Sequence, residues 1–199
     1  MASMTTTTTG PERLHFTGED ESDRLLASDP LALLIGFALD QQVSVQKAFS
    51  GPAELRRRIG HLDAARIAAM DPAELERVFR QRPALHRYPG AMARRVQALC
   101  GAIASRYGGD ASRVWGEAAN GRDLVARLLA LPSIGAMKAR TLVAILAKRF
   151  GVQLPGLEEV VPSHPTLGDV DSAESLASYQ AGKRAHKAAI RSRQEATGR

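Results

Sequence analysis

The chain has 199 residues, 44% of them hydrophobic but only 5% aromatic. That is enough for one compact domain, or two small lobes around a shared cleft, with a core of Leu, Ala, Ile and Val that favours helices over sheets. The net charge is +6, and the segment from Lys183 onward carries six cations against the single acid Glu195. The rest is close to neutral, so a polyanion would have to be met by a local patch. Cys100 is the only cysteine, which excludes an internal disulfide, a cysteine-ligated iron-sulfur cluster and a Cys-based zinc site within one chain. It fits a reducing cytoplasm. The apolar run at residues 31–39 is too short to span a bilayer. The start, Met1 to Thr9, lacks a basic stretch followed by an apolar one and does not read as a signal peptide.

Residues 1–18 are polar and Thr-rich and read as a disordered leader. A first helix is expected over 19–27. Asp29 before Pro30 then caps a second, whose run 31–39 is apolar on every face and reads as a central buried helix. Ser50-Gly51-Pro52 opens a helix reaching Ile59. Asp63 caps another, and Asp71-Pro72-Ala73-Glu74 starts the next. Arg82-Pro83 and Tyr88-Pro89-Gly90 mark a loop. A long helix follows to Tyr107, stopped by Gly108-Gly109. Two more helices are expected over 110–119 and 121–130. No alternating strand is found, so the class is all-α. Beyond Gly151 come Gly, Pro and acids, then a basic, Ala-rich segment that could be helical over 172–189. The expected division is a leader to 18, a helical domain over 19–175 and a basic tail over 176–199.

The most informative segment surrounds Leu131-Pro132-Ser133-Ile134-Gly135. One helix ends near Leu131 and another begins near Ala136, with Ala139, Leu142, Val143 and Leu146 as its apolar stripe. Gly135 is read as the source of backbone freedom and close approach. Such a turn leaves the first amides of the second helix unpaired, and with the helix dipole they suit an anion. Lys138 and Arg140 add charge behind them. The result is a sequence-independent phosphate grip; an ordinary tight helix-helix turn would use the same residues.

Upstream, the apolar helix ends in Leu39-Asp40-Gln41-Gln42-Val43-Ser44. Together the two elements resemble the helix-hairpin-helix (HhH-GPD) base-excision DNA glycosylase superfamily, in which a turn like "Leu-x-Gln-Gln-x-Ser" precedes a hairpin like "Leu-Pro-Gly-Ile-Gly". Tyr88 to Leu99 is similar to the helix between them. The likeness covers roughly residues 29–150 and is to an uncharacterised bacterial branch. It implies two helical lobes around a cleft, duplex DNA held mainly by its phosphates, a monomer, and a cytoplasmic, nucleoid-associated location. It further implies that Gln41 or Gln42 is the wedge filling the gap left by an extruded base; the alternative reading of the two is a polar helix cap at a turn. Ser133, Ile134, Gly135, Met137 and Lys138 become DNA-contacting positions. No iron-sulfur cluster is implied; a monovalent cation at the hairpin is.

The pattern breaks at the chemistry. The lysine nucleophile of bifunctional members falls on Met137, which cannot form a Schiff base. Lys138 is rotated about 100° further round the helix, toward phosphate. The family's aspartate after the second hairpin helix falls near Pro155. The candidate acids are therefore Glu159 or Glu158, then Asp171 in a "Val-Asp-Ser" run that requires an insertion. His61, His86 and His164 are read as surface residues, and Arg56-Arg57-Arg58 as a solvated helix face. The expectation is a glycosylase without lyase activity, with a catalytically silent DNA-binding or scaffold protein as the alternative.

Overall fold

The architecture is organised around one helix that has no polar face. In the computed structural model, which describes residues 10–197, α1 (Asp20–Ser28) leads into α2 (Pro30–Leu39). Every residue of α2 from Leu31 onward is buried. As expected, Asp29 caps it, accepting from the N–H of Leu31 at 2.8 Å and of Ala32 at 3.3 Å. α3 (Val45–Ile59) lies against it. The approach is close because residue 36 is glycine: a Cβ there would stand 2.5 Å from the Phe49 ring. That ring is also met edge-on by Phe16 and Phe37, each with centroids 5.1 Å away.

The leader is shorter than the composition suggests. Residues 1–9 lie outside the described residues, but Leu14 and Phe16 are fully buried. Their segment is tied to α1, where Asp23 Oδ1 accepts from the amides of Phe16 at 3.1 Å and Thr17 at 2.9 Å. Residues 15 and 16 form a tight turn, closed by the Phe16 amide donating to the Leu14 carbonyl at 2.8 Å, and this turn seats Phe16 against Phe49 of α3.

α3 begins six residues before the predicted opening. Ser44 Oγ accepts from the Lys47 amide at 3.2 Å, and Pro52 sits inside the helix. In a helix the proline ring clashes with the Cβ of the residue before it, among other groups; that residue is Gly51, so this part of the clash is absent. α4 (Ala64–Ala69) and α5 (Pro72–Arg80) start at the expected Asp63 and Asp71 caps. The Arg58 side chain is only 5% exposed. It pairs with Glu54 and donates to the carbonyls of Val78 at 2.7 Å, Gln81 at 3.0 Å and Pro83 at 2.6 Å. It therefore pins the loop after α5, while Arg56 and Arg57 ion-pair with Glu21 on the surface.

α6 (Pro89–Tyr107) ends at Gly108 in the left-handed conformation. α7 (Arg113–Gly116) is shorter than the helix expected over 110–119. Asp110 Oδ1 takes the Ser112 amide at 2.9 Å and hydroxyl at 2.6 Å, a local turn that competes with helix. α8 (Gly121–Leu129) and α9 (Ala136–Lys148) form the hairpin. A 3₁₀ turn (Leu167–Asp169) packs on α9, and α10 (Ala173–Thr197) closes the chain. α10 runs through the boundary expected at 175, anchored by buried Leu176, so the basic tail continues a docked helix. One contiguous cluster of buried apolar side chains runs from Leu14 to Leu176. The described residues contain no strand, and none of their helices is long and apolar enough to cross a membrane.

Candidate nucleic-acid interface

The hairpin turn is fastened from inside by Leu131 and Ile134, 3% and 4% exposed. The Ile134 amide donates to the Leu131 carbonyl at 3.3 Å. Ile134 is thus an anchor of the turn, with neither side chain nor N–H turned outward. The predicted stripe of Ala139, Leu142, Val143 and Leu146 is wholly buried. The backbone freedom assigned to Gly135 belongs elsewhere. Gly135 has φ −89° and ψ 178°, which any residue adopts, while Ser133 takes the left-handed φ of 70°. What Gly135 does supply is access, since nothing lies within 4 Å of the place a Cβ would occupy. No side chain caps α9, nor α1, α6 or α7, whereas α2, α3, α4, α5 and α8 are capped by side chains. Its opening amides, at Ala136, Met137 and Lys138, face an open approach. Met137 is 71% exposed. Lys138 does not extend into solvent: it is half-buried and donates to the Ser133 carbonyl at 3.3 Å.

The second element is the turn after α2. Asp40 closes the helix, Gln41 folds back through its amide to the Leu39 carbonyl at 2.7 Å, and Gln42 adopts φ 55°. The Gln41 side-chain oxygen accepts from Arg95 of α6. The exposed Gln42 accepts from the Tyr88 hydroxyl at 3.2 Å. Behind both lies His86, expected at the surface but 1% exposed. The Tyr88 amide donates to its Nδ1 at 3.0 Å. A backbone N–H can only donate, so Nδ1 bears the lone pair and Nε2–H donates to the Gln41 carbonyl at 3.1 Å. Burial, with Lys47 and Arg87 nearby, holds the imidazole below its usual range and keeps it neutral. Nothing in the sequence around His86 distinguishes it from a loop residue.

Electrostatics join the two elements. Burial pushes the Asp40 carboxyl up, opposed by the charges of Lys138 and Lys183. Burial pushes Lys138 down, helped by Arg95 and opposed by Asp40. Lys47, Arg87, Arg95, Lys138 and Lys183 thus gather around Asp40 and His86. Among the described residues none of the five is in an ion pair, although most arginines elsewhere on the surface are. This is a local cluster of cations outside ion pairs, offset in part by Asp40.

The predicted acids lie elsewhere. Glu158 and Glu159 are exposed, and Glu159 accepts from Arg122 at 3.0 Å beside the start of α8. The Gly121 amide bonds the Pro155 carbonyl at 2.9 Å, which ties that segment to the end of α8 remote from the turn. Asp171 is exposed at the start of α10, and the residue of α10 that comes near Asp40 is Lys183. Nearby, Asp169 is occupied by Lys148 at 2.5 Å and by the Thr166 amide at 2.8 Å. The acid that does stand with Gln41 and Lys138 is Asp40, missed because it was read only as part of the Gln motif. At the hairpin turn, two carbonyls each already hold one donor. The Ser133 carbonyl already takes the Lys138 ammonium and the Leu131 carbonyl the Ile134 amide. Among the described residues no three His, Cys, Asp or Glu side chains group as metal ligands.

Compared with known families, curated proteins and solved structures, the chain matches none.

Proposed function

We propose that the chain is a DNA-binding base-excision repair protein, a monofunctional DNA glycosylase that removes a damaged base without lyase activity. One observation carries the reading: the uncapped start of α9 and the Gln41–Gln42 turn share a face with five cations that have no ion-pair partner among the described residues. Uncapped amides and cations outside ion pairs suit phosphates, which position a duplex without reading its sequence. Gln42, exposed and braced by Tyr88, is the better wedge of the two glutamines. Gln41 is held back by Arg95. A wedge and an extruded base go together, because the glycosidic bond is inaccessible in the stack. Met137 supplies no nucleophile for a lyase step. The reading brings with it a helix-hairpin-helix glycosylase-like fold of two lobes around a cleft, a monomer on duplex DNA, and action in the cytoplasm at the nucleoid. The basic half of α10 adds nonspecific phosphate contact.

The catalytically silent alternative has its own support in Glu158, Glu159 and Asp171, all remote from the turn. Single-turnover assays on duplexes carrying alkylated, deaminated or oxidised bases separate the two. A glycosylase leaves abasic sites on at least one substrate. A silent binder shows steep salt-dependent affinity and no abasic product on any of them.

A further inference from the structure

We propose that Asp40 is the catalytic carboxylate of this protein, moved from the helix after the hairpin to the turn that carries the glutamines. The proposal rests on the glycosylase reading above. Three features of Asp40 each work against folding. It sits at the C-terminal end of α2, where the helix dipole opposes a negative charge. It is half-buried, and its carboxylate accepts no hydrogen bond among the described residues, although Asp23, Asp29, Asp63, Asp71 and Asp123 all do. Burial pushes its carboxyl up, and the charges of Lys138 and Lys183 only oppose that push. A group held at such a cost beside an anion-binding face is one a reaction would use.

Its place suits the chemistry. Asp40 immediately precedes Gln41 and Gln42, so a nucleotide extruded past the wedge brings its sugar beside it, and the first turn of α9 fixes the flanking phosphate. As the C1′–N bond breaks, its electron pair leaves with the base. The Asp40 carboxylate stabilises the cationic sugar and takes a proton from the water whose oxygen bonds to C1′. That proton passes to the departing base or to solvent, giving free base and an abasic sugar.

The test is Asp40→Asn in the full chain, read in three ways. Single-turnover excision should fall at least about a hundredfold, the usual scale for a lost acid-base group. Affinity for undamaged duplex should be kept or tightened, and Tm should rise because an unfavourable buried charge is gone. The wild-type rate should show an acid limb that the variant's residual rate lacks. Excision at the wild-type rate by Asp40→Asn overturns this assignment and leaves the glycosylase reading standing. A fall in Tm also overturns it, since a structural carboxylate behaves that way. If the wild type yields no abasic product on any lesion, the glycosylase reading itself fails and this assignment with it.

Discussion

His86 donates through Nε2 to the Gln41 carbonyl at 3.1 Å while its Nδ1 receives the Tyr88 amide at 3.0 Å. One buried, neutral ring thus ties the glutamine turn to the loop before α6. Protonation would set an N–H against the Tyr88 N–H. Because the folded form holds this histidine below 6.5, its contribution is present above that value and lost as pH falls through the folded pKa. Urea midpoints of the wild type should drop between pH 7.5 and 5. His86→Asn should be less stable at pH 7.5 and show a flatter profile over that interval.

Ser133 pays the left-handed penalty at φ 70°. Ser133→Gly should therefore raise stability by about 1 kcal/mol, and Ser133→Val should lower it by a similar amount or more. Thermal melts of the two variants check the sign in both directions.

Lys138→Glu removes a cation from the turn and adds an anion beside Asp40. Duplex affinity should fall at least about tenfold, and the slope of log affinity against log salt should shrink by about one phosphate's worth. Arg122→Glu, at the far end of α8, should leave both unchanged. Filter binding or anisotropy from low to moderate salt distinguishes them.

Arg58 is a buried cation satisfied by three carbonyls and Glu54. Arg58→Ala strips all three carbonyls and leaves Glu54 paired with Arg57 alone. It should cost about 3 kcal/mol in urea denaturation, with exchange protection lost first around residues 81–85.

The starts of α2, α4 and α5 were legible because each has a local cause: an aspartate that satisfies orphan amides at residues 29, 63 and 71. The buried character of α2 was legible for the same reason, since no face of it is polar. Errors arose where a local rule was overridden by a neighbour. Pro52 read as a helix start, whereas Gly51 before it eases the clash enough for the helix to run through. Leu14 and Phe16 read as leader because the Thr tract before them is long and their partners are distant. His86 and Asp40 depend on which loops meet, and no periodicity reports that. The sequence marks where a helix begins by chemistry within a few residues; the candidate site is assembled from α2, α6, α9 and α10.

The edge-on contact between Phe16 and Phe49 has a kinetic consequence. The chain leaves the ribosome at about 5–20 residues per second, so Phe16 spends on the order of seconds in water before α3 exists to cover it. Its neighbours Arg13, His15 and Thr17 keep that stretch dispersed in the interval. The sealing of Phe16 therefore waits on α3 and on no later helix.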